Sequence, residues 1–302
     1  MSILKKVREK KVMSMVKTTI VVLFSLLLIP SVNAALWTIT YPRPLDDSDE
    51  RSQYPIDLLT LALDKTGVNY ELRPSDRILL TGKAMRQLKE NREVNIVWSM
   101  TDTQREKDLT PIRIPIAKGL IGLRVFVVNK DKEENFKRDL SITDMRKLVP
   151  VQGEEWPDTK ILQANGFNVF TVPEFREAYD LTKQGKIDFF PRSVIEVEAE
   201  LAEEGRSGSL ALEPSLALYY PTAMYYFVSA SNKTLANLIT TGLERAIEDG
   251  SFDALFYATY SPILERLNVK ERKVFTLENP LLPLETPLEN DALWYKNDFT
   301  NN

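Results

Sequence analysis

The chain reads as an α/β protein built in two lobes joined by two passages of the backbone. Three observations predict this. From Leu36 onward, short apolar runs alternate with amphipathic helical segments, the strand, helix, strand order that gives a parallel α/β sheet. The series occurs twice, before and after the charged stretch Lys130 to Arg138. Two long apolar runs, Leu120 to Val128 (LIGLRVFVV) and Met224 to Ser229 (MYYFVS), bracket the second series and read as the crossings between lobes. Such a chain is suited to hinge closure around a ligand.

Each element follows in order. The first residues are basic (Lys5, Lys6, Arg8, Lys10, Lys11, Lys17), an apolar run spans Ile20 to Ile29, and Val32-Asn33-Ala34 supplies small residues, so 1–34 is read as a secretory signal peptide. Its apolar run is about half the ~20 residues that a bilayer span needs, which makes a retained anchor the weaker reading. Leu36 to Thr40 is a strand, and the polar loop Tyr41 to Gln53 leads to a helix with Ile56, Leu59, Ala62 and Leu63 on one face, ending at Gly67. Asn69 to Leu72 is a strand stopped by Pro74, Ile78 to Leu88 a helix, and Val94 to Trp98 a strand followed by the polar turn Ser99 to Lys107.

In the second series, Ile142 to Leu148 is a short helix, Val149 to Val151 a strand, Gly153 to Asn165 a turn plus helix, Asn168 to Val172 a strand and Glu174 to Gln184 a helix. Ile187 to Phe190 is then a strand ended by Pro191, which has no N–H for a ladder. A helix follows, with Val194, Val197 and Leu201 on one face and Glu196, Glu198, Glu200, Glu203 and Glu204 over most of the rest. Leu210 to Leu218 is a further strand, and helices at Lys233 to Glu248 and Phe252 to Tyr260 close the first lobe. The tail segment Asn279 to Pro287, NPLLPLETP, is proline-rich without periodicity. It reads as an extended strap over a lobe, anchored by Trp294 and Tyr295, with a partner-binding segment as the alternative. The expected organisation is 1–34 signal peptide, 35–124 with 225–268 as a discontinuous first lobe, 125–224 as the second lobe and 269–302 as the strap.

Composition narrows the chemistry. The 302 residues are 43% hydrophobic with a formal net charge of −4, and contain neither cysteine nor histidine. An acidic exported protein is a poor partner for nucleic acid or an anionic membrane. Without cysteine there is no disulfide and no lipid-modified N-terminal residue, so a soluble periplasmic or secreted protein with no anchor after signal cleavage is expected. Without histidine the usual general base and commonest metal ligand are both missing, which excludes Ser-His-Asp and Cys-His catalysis and makes zinc unexpected. No cofactor or metal is expected.

Pro191, Arg192 and Ser193 fall at a strand-to-helix junction, and in open α/β sheets such junctions line the ligand crevice. A cation near a helix N-terminus opposes the macrodipole, which a bound anion would explain. The competing reading pairs Arg192 with Glu196 one turn on.

The leader, the two interrupted α/β lobes, the Ser-Met-Thr-Asp-Thr-Gln-Arg turn at Ser99 to Arg105, the Gly-Lys-Ile-Asp at Gly185 to Asp188 and the Ile-Glu-Asp-Gly-Ser-Phe-Asp at Ile247 to Asp253 together carry a likeness over nearly all of the chain beyond residue 34. In this order they resemble the extracellular solute-binding proteins of family 3. The resemblance implies the type II periplasmic-binding-protein fold, with two lobes on a two-strand hinge and a small solute held between them. It also implies a non-enzymatic periplasmic protein, related to the amino-acid-binding components of ABC transporters, with an ABC permease or a membrane sensor as partner. A monomer is expected. In that family a Ser/Thr and an Arg after the third strand hold the ligand carboxylate, which points to Ser99, Thr101 and Arg105. An acidic residue after the Gly-x-x-Asp strand holds the amine, and here the chain has Pro191, Arg192 and Ser193 instead. A guanidinium there repels an ammonium, so the chain resembles a divergent subgroup taking an anionic or zwitterionic solute, amino-acid-like or an organic acid.

Arg105 and Arg192, facing each other across the cleft, would offer forked donors for a carboxylate or phosphate. At ~1.5–3 kcal/mol per charge-assisted contact, two of them plus apolar burial reach the ~8 kcal/mol of micromolar binding. The bland reading of Arg105 is a solvated turn residue paired with Asp102 or Asp108. Trp98 and Trp156 are placed to offer aromatic faces, or to be core. Asp158 and Thr159 suit helix capping, and Tyr219 and Tyr220 either close the cleft or pack under the hinge. Arg43 and Arg77, in or beside post-strand loops, are further candidates. The acidic loop Asp46, Asp47, Asp49, Glu50 lacks EF-hand spacing and reads as solvated. The rival function is a carboxylate-based enzyme acting on periplasmic glycan, drawing on the acidic helix. A third is an interaction protein working through the tail.

Overall fold

The structure, a computed structural model, describes Met13 and residues 35–44, 50–205 and 208–296. The chain falls into two units, 1–36 and 37–302. The expected signal peptide and acidic loop lie almost wholly outside the described residues. Everything below concerns the second unit.

One sheet system carries the first part of the chain. Strand β1 (Trp37–Arg43) runs parallel to β2 (Tyr70–Ile78), while β3 (Val97–Met100) and β4 (Leu109–Ile112) flank the much later β11 (Met224–Ser229), antiparallel to both. Asn95 stitches the two pieces together. Its amide oxygen accepts from the Thr40 N–H at 2.7 Å, its side-chain nitrogen donates to the Thr38 carbonyl, and its backbone N–H donates to the Thr40 carbonyl. Helices α1 (Gln53–Thr66), α2 (Thr81–Lys89) and α3 (Thr103–Asp108) belong to this stretch, as do the later α8 (Lys233–Glu248) and α9 (Ser251–Arg266). Gly242 lets α8 lie directly on α1, because a Cβ there would overlap the Ala62 carbonyl oxygen.

The second sheet has the order β12 (Lys273–Thr276), β10 (Leu216–Tyr219), β5 (Leu123–Asn129), β8 (Phe190–Ser193), with β9 (Leu210–Leu212) also on β5. The parallel pair β6 (Val151–Gly153) and β7 (Phe170–Val172) joins it through a single bridge from Pro150 to Phe189. Helices α4 (Ile142–Met145), α5 (Pro157–Ala164), α6 (Phe175–Lys183) and α7 (Val197–Glu204) complete this part. All six residues of β11 and the first six of β5 are buried, which is why both read as apolar runs, interrupted in β5 only by Arg124.

Several expectations are corrected. The two apolar runs are strands of different sheets that do not pair with each other, and the passages between sheets are shorter: Gly119 to Leu123 and Tyr219 to Ala223. These lie side by side, with Tyr219 opposite Leu123 and the Tyr220 N–H donating to the Gly122 carbonyl. Glycine is required at 122, since a Cβ would run into the Tyr220 carbonyl oxygen. Pro191 does not end β8. It sits opposite Phe126 within the strand, and what it ends is the contact with β6, whose next ladder bond would need an N–H from residue 191. Pro74 likewise lies inside β2, tolerated because β2 pairs on one side only among the described residues. The stretch Leu210 to Leu218 is two strands, and α9 continues past Tyr260 to Arg266 with Pro262 inside it, because Phe256, Tyr260 and Leu264 keep one buried face.

The tail does more than cover one lobe. Strand β12 adds to the second sheet, after which the chain runs past the crossings to the first: the Thr103 N–H donates to Leu281, and the Tyr295 N–H donates to Lys118. Among the described residues no helix is long and apolar enough to cross a membrane.

Candidate functional site

The turn after β3 is built around Asp102. Its carboxylate accepts from the backbone N–H groups of Gln104 and Arg105, both at 2.8 Å, capping α3. Thr101, fully buried, donates its hydroxyl to Glu106 at 2.7 Å, and its N–H reaches the Ala223 carbonyl beside the second crossing. This short helix delivers Arg105, whose Nη1 donates to the Met100 carbonyl and whose Nε stands 3.3 Å from Asp102. The side chain is 14% exposed. Burial lowers its pKa, and the charges of Asp102, Asp158 and Glu155 only partly offset that. Asp158 and Glu155 come from the second sheet system, so Arg105 faces residues of both.

Asp158 sits in the first turn of α5 but does not cap it; Thr159 does not either, its hydroxyl donating to the Gly153 carbonyl. The Asp158 Oδ1 accepts instead from Arg124 Nη2 at 2.7 Å and from the Tyr220 hydroxyl. Arg124 projects from β5, 2% exposed, with its Nη1 3.6 Å from Glu196 and Met100 Sδ 3.8 Å from its Nη2. Burial alone would lower its pKa, but Asp158, Tyr220 and Glu196 outweigh it and the net shift is upward. Arg124 Nε and Gln152 Oε1 are buried without a hydrogen-bond partner.

Arg192 lies elsewhere in its dealings. It is a strand residue opposite Val125, not a helix N-terminal one, since α7 begins only at Val197. Its guanidinium binds Glu200 in a fork, Nε to Oε2 at 2.7 Å and Nη2 to Oε1 at 2.6 Å, and reaches Glu196 at 3.1 Å. Around it stand the rings of Trp156, Phe190 and Phe175, with centroids at 4.9, 5.0 and 5.5 Å. Glu200 also accepts from Tyr179 at 2.8 Å and meets Arg51 at 3.4 Å. Burial would depress the Arg192 pKa, yet Glu200 and Glu196 hold it well above its ordinary value. Arg192 is thus a buried cation engaged with its own lobe, and the expectation that it and Arg105 grip one solute from opposite sides is corrected: its Nε and Nη2 are held by Glu200 and Glu196.

Other predicted site residues scatter. Trp156 belongs to the Arg192 nest, stacked 14° from parallel on Phe190. Ser193 is buried and donates to the Leu120 carbonyl beside the crossing. Trp98 packs on Tyr41 and Tyr226, and Ser99 lies in β3 opposite Tyr225. Arg43 and Arg77 meet at Ser75, the Arg43 Nε donating to its carbonyl at 2.8 Å and its hydroxyl to the Arg77 carbonyl at 2.7 Å; Arg77 itself pairs with Glu93 in solvent. Of that set, Arg105 is electrostatically coupled to Asp158, and Arg192 is joined to Arg124 through Glu196, which both guanidinium groups reach. Arg124 is the residue that pattern reading passed over, although it is the one charge in the run Leu120 to Val128. A separate open cavity of about 320 Å³, lined by Trp37, Thr66, Leu238 and Arg245 among others, shares no residue with this site.

No family model matches the sequence, and no curated protein matches it significantly. Solved structures do match. An arginine-specific periplasmic binding protein of Salmonella typhimurium aligns at 13% identity with a TM-score of 0.54, covering 74% of this chain and 99% of that one. A binding component of an ABC transporter from Wolinella succinogenes, complexed with lysine, aligns at 17% identity and 0.53, covering 76% and 97%. The ligand-binding core of GluR0 from Nostoc punctiforme, in complex with L-glutamate, aligns at 20% identity and 0.52, covering 74% and 98%. The chain has the two-lobe type II periplasmic-binding-protein fold.

Proposed function

We propose that this chain is a periplasmic solute-binding protein that takes a small anionic or zwitterionic solute, amino-acid-like or an organic acid, between its two lobes. It hands the solute to an ABC permease or reports it to a membrane sensor, acts as a monomer and does no chemistry on what it binds. The lobes are the two sheet systems on either side of the crossings Gly119 to Leu123 and Tyr219 to Ala223, with β12 in the second, following a cleaved leader over 1–34. Arg105 is the anion contact in this reading, with Thr101 beside it and the exposed Glu155 available to an ammonium.

The observation that carries the reading is the placement of Arg105. Its side chain is largely buried in the turn after β3, held by the Met100 carbonyl and by an Asp102 carboxylate that also caps α3, and an arriving carboxylate would take charge-assisted bonds from it. The carboxylates a glycan-active enzyme would need are committed: Glu198 to Arg266, Glu200 to Arg192, Glu203 to Arg176 and Glu204 to Lys183. This does not favour the enzymatic alternative.

The test is thermal unfolding of the protein with a panel of L-amino acids and four- and five-carbon dicarboxylic acids. A true ligand at 100 times its Kd stabilises by ~2.7 kcal/mol, and the Arg105→Ala variant loses that shift. A midpoint unmoved by every member of the panel overturns the reading of solute class.

A further inference from the structure

The tail makes a connection between the lobes beyond the two crossings. Leaving β12 in the second sheet, Leu277 donates its N–H to the Tyr219 carbonyl at 2.7 Å. The backbone of Glu278 then forms a reciprocal pair with the side chain of Asn165 at the end of α5: the Asn165 Nδ2 donates to its carbonyl at 2.8 Å, and its N–H donates to the Asn165 Oδ1 at 3.1 Å. Asn279 uses both ends of its amide, Nδ2 donating to the Pro221 carbonyl in the second crossing at 2.9 Å and Oδ1 accepting from the Leu281 N–H at 3.0 Å. Three residues after Glu278, the Leu281 carbonyl accepts from the N–H of Thr103, the first residue of α3. Further on, the Ala292 carbonyl accepts from Lys118 Nζ, the Trp294 ring lies against Gly119, and Tyr295 packs on Phe256 of α9.

We propose that Glu278 to Leu281 is an opening stop: a short tether from the end of α5 to the start of α3 that limits how far the lobes separate. Three residue steps span at most about 11 Å when fully extended. The segment is shorter than that as it stands, because Asn279 closes a local turn onto the Leu281 N–H and Pro280 fixes φ within it, so lengthening it means opening that turn. A separation of Asn165 from Thr103 beyond the extended reach must break one of these attachments. The far end of the tether is the first residue of the helix that carries Arg105, so opening the lobes also pulls on the turn that holds it. The inference needs lobes that move, but not the identity of what they bind.

The chain has no cysteine, so spin labels can be placed singly on each lobe through Glu90→Cys on the first and Lys160→Cys on the second. Pulsed electron paramagnetic resonance then reads the inter-lobe distance without any solute. The full chain should give a narrow distribution. Inserting six Gly/Ser residues between Pro280 and Leu281 lengthens the tether while leaving both attachment points in the sequence, and should broaden the distribution toward longer distances by roughly 5–10 Å, within the ~13 Å reach of such a linker. An unchanged distribution in a folded insertion variant overturns the proposal. Should the insertion prevent folding, the Asn165→Ala, Asn279→Ala double variant, which keeps the length and removes the clips, must show the same broadening in smaller degree, and its absence is equally decisive. Broadening in a protein that no panel compound stabilises would leave the opening stop standing and remove the solute reading.

Discussion

Arg192 and Arg105 are both guanidinium groups taken largely out of water, yet their surroundings answer that burial in opposite ways. Around Arg192 stand a forked carboxylate, a second acid and three aromatic faces. Around Arg105 stand one capping aspartate already engaged by two backbone N–H groups, a main-chain carbonyl, and the more distant charges of Asp158 and Glu155 from the second sheet system. A fully paired buried ion shapes the fold, and replacing either partner strands the other. A partly paired one has room for something brought from outside. Arginine content alone therefore does not locate a binding site; the state of the neighbours does.

The comparison can be broken most severely at Glu200. Its replacement by alanine leaves the Arg192 charge buried against aromatic rings, with an expected loss of about 3–5 kcal/mol in urea unfolding. A loss under ~1 kcal/mol would mean that water reaches the nest and that Arg192 is less committed than its geometry indicates. Arg105→Ala comes next and acts on another quantity. Removing one charge-assisted contact weakens binding of the best panel compound by ~1.5–3 kcal/mol, roughly 10- to 150-fold by calorimetry, with a smaller change in unfolding than Glu200→Ala gives. If both variants lose stability alike and neither loses affinity, the distinction between the two arginines fails.

A finer test uses pH. Burial raises the Glu196 pKa, with Glu200 adding to it and Arg192 and Arg124 opposing it, whereas Glu200 is lowered because Arg192, Arg51 and Tyr179 outweigh its burial. A carboxyl whose folded pKa is raised contributes stability at low pH that is lost as pH rises from the unfolded value, about 4.3, through the folded one. Glu200 works in reverse, its contribution present above that unfolded value and lost as pH falls through the depressed one. Glu196→Gln should therefore flatten the decline of stability above about pH 4.3, change neutral-pH stability by no more than ~1 kcal/mol, and leave the acid limb in place. A Glu196→Gln curve that parallels the parent throughout would count against the assignment. Smallest of all, Arg77→Ala, whose pair with Glu93 lies in solvent, should leave both the unfolding midpoint and solute binding unmoved.

Much of the architecture was readable because burial on both faces writes itself as an apolar run, as in β5 and β11, and burial on one face as a helical period, as in α8, whose predicted limits Lys233 and Glu248 are those observed. Proline misled in two places, since its missing N–H matters only where a ladder needs it: Pro74 lies on an edge, and Pro191 pairs with Phe126 within β8 while ending only the contact with β6. In the stretch read as the turn Ser99 to Lys107, the pairing of Arg105 with Asp102 was legible because the two are three residues apart, whereas Ser99 is a strand residue and Thr103 to Asp108 a helix capped by Asp102. The role of Arg192 was not, because its main partner is eight residues on, and the extra strand residues moved it off the helix end from which its function had been argued. Arg124 was hidden by the apolar run around it, and its partners, Asp158 and Tyr220, come from remote segments that only the folded chain brings together.

Gly242 has a consequence for anyone engineering this protein. Exchanging a mid-helix glycine for alanine is a standard route to a higher melting temperature, worth about 1 kcal/mol in helix propensity. At this position the sign reverses, because the added methyl would meet the main-chain oxygen of Ala62, which cannot rotate aside as a side chain could, and the two helices would have to part along their length. The most inviting substitution in α8 is the one a thermostabilisation campaign should leave out.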